Sequence, residues 1–187
     1  MNDKDLAVSA KEIPVEQVIF GNVLKTLHKY AGIKSSETER IQSLKVDCQN
    51  LFYMGKDNFQ ACDLGKFMAA SVISYYRTVI CCNIDNSDLT GEKAVLSECW
   101  DLIKKYNRIT VDDEQSWEAV FNSLDEIVRI RREASPVHIY YFAMNMAKIV
   151  AEYLDDHGRP QDFVIEARKH RIPYLKKLCT ASASAAA

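Results

Sequence analysis

The chain has little of what interrupts a helix. Its 187 residues hold six glycines and four prolines, too few to punctuate many short strands, so long helices are expected. No stretch alternates apolar and polar residues for more than about three positions, which argues against a sheet. No segment repeats at a fixed period and no heptad pattern is sustained, which excludes a solenoid and a long coiled coil. Neither sign of charge dominates: the net charge is −2, so the chain as a whole shows no bias toward nucleic acid. The opening stretch, MNDKDLAVSAKEIP, lacks a basic region and an apolar run, so no secretion signal is expected. The six cysteines form no CxxC pair and have no zinc spacing with histidine. Free thiols fit a reducing compartment, and the cytoplasm is the expected one.

The best-marked catalytic signatures are missing too. There is no Gly-rich phosphate loop, GxSxG, HExxH or EF-hand loop, and no Glu-x-x-His pair of the kind that holds two irons in helical bundles. No catalytic residue, metal ligand or cofactor is therefore assigned from motifs.

What is present is one long apolar stretch, Asp63 to Asn83. Its apolar residues cover nearly the whole circumference of a helix, with Lys66 and Arg77 the interior charges. A helix apolar all round is buried by neighbours or by lipid. Ser71, Ser74, Arg77 and Thr78 break the run too often for a membrane span. The fold class expected is all-α, a single bundle of about six helices around this nearly all-apolar central helix (63–83). Cys81 and Cys82 are expected to sit inside as small hydrophobes.

The other elements follow from periodicity and caps. Residues 1–12 are expected as a flexible N-terminal arm, residues 13–178 as the helical bundle domain, and residues 179–187 as a disordered tail or an appended scar. Pro14 opens the first helix, with Gly32 just past its end. Ser35 or Ser36 caps the second, with Glu39 completing a capping box. Ser87, Asp88 and Thr90 are candidate caps for a fourth helix over Gly91–Tyr106. Acidic Asp112, Asp113 and Glu114 begin a fifth, and Arg129, Arg131 and Arg132 end it, as the macrodipole favours. Ser135 and Pro136 start the sixth, as cap and first helical residue. Residues 137–154 form the second most apolar stretch and are expected to pack on the central helix.

Three groups of residues are candidates for function. The first is Arg131-Arg132-Glu133-Ala134-Ser135-Pro136-Val137-His138, which joins two long helices. An arginine followed six positions later by a histidine at the start of an apolar helix is similar to the Arg-x(4–6)-His motif of HEPN-type helical ribonucleases. The resemblance implies that Arg132 stabilises phosphate charge and that His138 acts as general acid or base, in a dimer. In this chain Glu133 stands where that family most often has Asn, Asp or His, and Pro136 interrupts the segment. The bland alternative is that the arginines complement a helix C-terminus and His138 fills a first turn.

The second group is aromatic: Tyr75, Tyr76, Tyr140, Tyr141 and Phe142. Paired tyrosines are expected to turn one ring inward and the other toward a boundary. That makes Tyr76, Tyr140 and Tyr141 candidates for a protein partner's surface. The third group is charged. Residues 1–128 hold 14 Lys and Arg against 20 Asp and Glu, whereas residues 129–187 hold 10 against 6. Arg159, Arg168, Lys169, Arg171, Lys176 and Lys177 give the C-terminal segment a basic character. Phosphate contacts beside aromatic stacking suit a single-stranded nucleic acid; an acidic protein or a second copy satisfies the same charges. Asp155, Asp156, His157 and Asp162 are weighed as divalent-metal ligands against simple solvent exposure.

The expected function is protein–protein interaction, as an adaptor, inhibitor or assembly subunit, with another protein or itself as partner and no membrane involved. The alternatives are the HEPN-like, metal-independent ribonuclease and a self-assembling subunit that binds nucleic acid.

Overall fold

The computed structural model describes residues 13–58 and 61–159, with Val164 and Glu166. Six α-helices follow one another: α1 (Val15–Lys29), α2 (Thr38–Tyr53), α3 (Cys62–Cys81), α4 (Thr90–Tyr106), α5 (Glu114–Ala134) and α6 (Val137–Gly158). No strand is present among the described residues. The fold is the all-α bundle that the sequence implies. The arm at 1–12 and the tail at 179–187 lie outside the described residues.

Two antiparallel hairpins, α2–α3 and α5–α6, make the most extensive pairings. The apolar helices α3 and α6 pack on each other and join the hairpins, while α1 and α4 close the sides. Leu64, Met68, Val72 and Val79 from α3 meet a single core with Phe142, Met146, Val150 and Leu154 from α6. Burying each such side chain contributes about 1.5–3 kcal/mol before entropy is counted.

The central helix is less uniformly buried than its composition suggests. Ser74, Arg77 and Cys81 form an exposed strip, and Cys82 beyond the last turn is exposed as well. The expectation that Cys81 and Cys82 are buried is corrected, because the chain leaves the core there: Asn83 adopts a left-handed φ of 49° and Ile84 N–H closes back on Val79 O. Among the described thiols, those of Cys48 and Cys99 are buried.

The caps also differ. Glu37, not Ser35 or Ser36, stands at the N-cap of α2, and no side chain caps that helix. Glu37 instead accepts from Lys34 N–H and from the Arg40 guanidinium, so the predicted capping box does not form. Asp113 caps α5 by accepting from Ser116 N–H at 3.1 Å. Pro136 occupies the N-cap of α6 rather than its first turn, and Ser135 is the extended residue that ends α5. A residue before proline is pushed out of the helical region, which confines the α5–α6 link to two residues.

The α2–α3 hairpin closes over Gly65. A Cβ there would lie 2.5 Å from Met54 O and 2.7 Å from Leu51 O, both backbone atoms that cannot turn aside. Gly21, in the middle of α1, has nothing within 4 Å. In urea denaturation, Gly65→Ala is expected to destabilise the bundle by about 1–3 kcal/mol. Gly21→Ala is expected to leave stability unchanged or raise it by up to about 1 kcal/mol, because the backbone entropy cost of glycine in a helix is removed.

Candidate functional site

The densest polar cluster is inside the core. Glu92, in the first turn of α4, is 0% exposed. The Tyr75 hydroxyl on α3 donates to its Oε1 at 2.5 Å, and His138 Nε2 on α6 stands 3.6 Å from the same oxygen. Asn86, on the α3–α4 connection, reaches the Tyr75 hydroxyl at 3.4 Å and accepts from Gly32 N–H at 2.8 Å. Glu92 Oε2 is buried with no hydrogen-bond partner. One cluster thus ties the turn after α1 to α3, α4 and α6. Gly91 gives α6 room to approach, since a Cβ there would lie 2.7 Å from Ile139 Cδ1.

Burial and the Glu92 carboxyl push the Tyr75 hydroxyl far above the usual phenol range. Burial lowers the pKa of His138 from its ordinary 6.5, against a smaller upward pull from Glu92. Sequence reasoning missed Glu92. Its signal was spacing: Glu92, Val95, Leu96, Cys99, Leu102 and Ile103 share one face of α4, and all are buried. Arg131 is a second case, falling in register with Val120, Leu124 and Ile127 on the buried face of α5. Its guanidinium forks onto Glu98 of α4 at 2.6 and 2.7 Å, the strong bidentate geometry.

The structure does not bring Arg132 and His138 into one cleft. Arg132 is exposed near the end of α5, while His138 is 5% exposed and turned toward Tyr75 and Glu92. Arg131, beside Arg132, is the arginine held in the core, and Glu98 occupies it. Tyr76 is likewise not on a boundary. It is 1% exposed and donates to Leu27 O at 2.8 Å, and Tyr75 is buried beside it. Both rings turn inward because α1 and α6 flank this section of α3. Tyr140 is half-buried and Tyr141 exposed.

At the end of α6, Arg159 pairs with Asp155 at 2.7 Å, and His157 Nε2 meets the Tyr153 hydroxyl at 3.2 Å. No group of three or more His, Cys, Asp or Glu side chains suited to a metal occurs among the described residues. Asp162, Arg168, Lys169, Arg171, Lys176 and Lys177 lie outside them. No helix among the described residues is long and apolar enough to cross a membrane. Between α1 and α2 there is a cleft of about 180 Å³ near Lys25, Lys29 and Asp47. That is below the roughly 300 Å³ at which small-molecule pockets begin, and Asp47 is already held by Lys29 and Tyr30.

The outward face of the α5–α6 hairpin is different. Val137, Tyr141 and Met144 are 56%, 52% and 41% exposed, and they recur at helical spacing along α6. Phe121 on α5 is 55% exposed. Its neighbour Trp117 donates to Thr110 O, and that 109–111 link lies against Gly158 of α6, so the Phe121 edge of α5 borders α6. In comparisons with protein families, curated proteins and solved structures, nothing matched the chain.

Two measurements test the buried cluster. Tyr75→Phe leaves Glu92 without its hydrogen-bond donor and is expected to cost about 1–3 kcal/mol in chemical denaturation. A neutral cost would place Glu92 in a different environment. His138 is depressed in the folded state, so the unfolded chain binds more protons below about pH 6.5. Stability is therefore expected to fall as pH drops through that value, and His138→Gln is expected to flatten the slope above the carboxylate range.

Proposed function

We propose that this protein works by binding another protein chain through the outward face of its α5–α6 hairpin. The observation that supports this is the line Val137, Tyr141 and Met144. These large apolar side chains stay in water on a helix whose other faces are packed against α3, α4 and α5. Scattered exposed hydrophobics need no explanation, but a stripe of them along one helix face does. Tyrosine and methionine suit such a role, since they contribute large contact area. The groups with most chemical potential, Glu92, His138 and Arg131, are spent inside the bundle, and this favours a binding role over a catalytic one. Nothing in the described residues favours the ribonuclease reading, which needs Arg132 and His138 to share a cleft. For nucleic-acid binding, Arg159 is the one proposed contact within the described residues, and Asp155 engages it.

The test is a pair of baits, the wild-type protein and Tyr141→Asp/Met144→Asp. Both sites are exposed, so the variant is expected to keep the wild-type circular dichroism and to lose less than about 1 kcal/mol of stability. Proteins that the wild type retains reproducibly, its own untagged copy included, should be absent from the variant. An identical set on both baits would rule the face out.

A further inference from the structure

We infer that the partner of this face is a second copy of the chain, docked antiparallel about a two-fold axis across the α5–α6 hairpin; this rests on the binding reading above and names the occupant.

Along the outward edge of α5, Asp125 and Arg132 are both exposed. The ion pairs of this helix join Arg129 to Glu126 and Glu133, and Arg131 to Glu98. Asp125 and Arg132 have no ion-pair partner among the described residues. They stand two turns apart, about 10 Å along the helix axis, too far to satisfy one another. On α6 the exposed apolar stripe is Val137, Tyr141 and Met144, with Tyr141 and Met144 its two longer side chains.

The α5–α6 link is centred between Ser135 and Pro136. The midpoint of Asp125 and Arg132 lies seven residues before that centre, and the midpoint of Tyr141 and Met144 seven residues after it. In an antiparallel hairpin these midpoints fall at the same height. One two-fold axis through that height sets α5 against α5 and α6 against α6, each pair antiparallel. Arg132 then meets the second copy's Asp125, and Tyr141 meets its Met144, each contact made twice. Sulfur against an aromatic ring is a favourable pairing. At the ends of the α6 stripe, the methylene stem of Lys148 lies over the second copy's Val137, leaving its ammonium in water. An isologous interface requires such self-complementarity, and a parallel pairing would instead set Arg132 against Arg132.

The face is small. It offers three large apolar side chains on α6 and two charges on α5 that are unpaired among the described residues, where a standard stable interface engages about 20–30 residues a side. The dimer is accordingly expected to be reversible and concentration-dependent.

The experiment is sedimentation equilibrium of the full chain from about 5 μM to about 500 μM, in Cys81→Ser/Cys82→Ser protein so that exposed thiols cannot cross-link. The parent should show a monomer–dimer equilibrium. Arg132→Asp alone and Asp125→Arg alone should each raise the dimer Kd about tenfold or more by setting like charges together. An equal mixture of the two variants should recover parental association, since each heterodimer contact again pairs an acid with an arginine. A parent that stays monomeric throughout overturns the inference, as does a mixture that associates no better than its components. A monomeric parent whose protein capture still depends on Tyr141 and Met144 would leave the binding function standing and refute only the self-pairing.

Discussion

The bundle depends on a carboxyl group with no access to water. Glu92 sits where α3, α4 and α6 converge, and an uncompensated carboxylate there would be costly. Tyr75 compensates part of that cost with a 2.5 Å hydrogen bond, and Asn86 links the same hydroxyl to the turn at Gly32. A polar network in a core is sensitive to geometry, because each member relies on the placement of the others. It therefore specifies how α4 and α6 sit on α3 in a way that interchangeable apolar contacts do not. His138 belongs to this arrangement. Its burial disfavours the charged imidazole and withdraws it from the surface chemistry its position in the sequence suggests.

The same constraint sorts the rest of the molecule. Arg131 is held by Glu98 and Tyr76 by Leu27 O, so these two polar groups of the inner helix faces are engaged within the chain, whereas Glu92 Oε2 is buried without a hydrogen-bond partner. The polar groups of the α5–α6 outer face are not all satisfied in this way. Asp125 and Arg132 point outward beside an apolar stripe, a pattern that a folded monomer does not need for its own stability. Glu92, His138 and Arg131 engaged inside the bundle, next to an outer face that carries an exposed apolar stripe, direct attention to association rather than catalysis.

Much of the architecture was legible in the sequence because helical periodicity is a property of whole segments. The six helices, the apolar character of α3 and α6 and the acidic start of α5 could be read directly, though not which of its acids is the cap. Caps at α2 and α6 were less legible, since Ser35 and Ser135 suit a cap but Glu37 and Pro136 occupy those positions through local turn geometry. Glu92 and Arg131 were hidden by their charge: the inner stripe was read from apolar residues alone, although both fall on its spacing. Tyr76 was expected at a boundary and is buried, and the first-turn histidine His138 is buried as well, because a sequence shows a residue's chemistry but not which neighbouring helix covers it. Of the outward stripe on α6 only Tyr141 was named from the sequence; Val137 and Met144 were not, since only the packed structure reveals which slice of an apolar helix is left uncovered.

The central claim is that a second copy of the chain docks on the outer α5–α6 face, and not in the α1–α2 cleft. Two-dimensional amide and methyl NMR spectra of the wild-type chain at low and high protein concentration test it most directly. The account predicts concentration-dependent shifts confined to Phe121, Asp125, Arg132, Val137, Tyr141, Met144 and their immediate neighbours, with α1 and α2 unchanged. Shifts centred on the cleft beside Lys25 and Asp47, or on the Cys81–Asn83 turn, would contradict it, as would spectra that do not change at all.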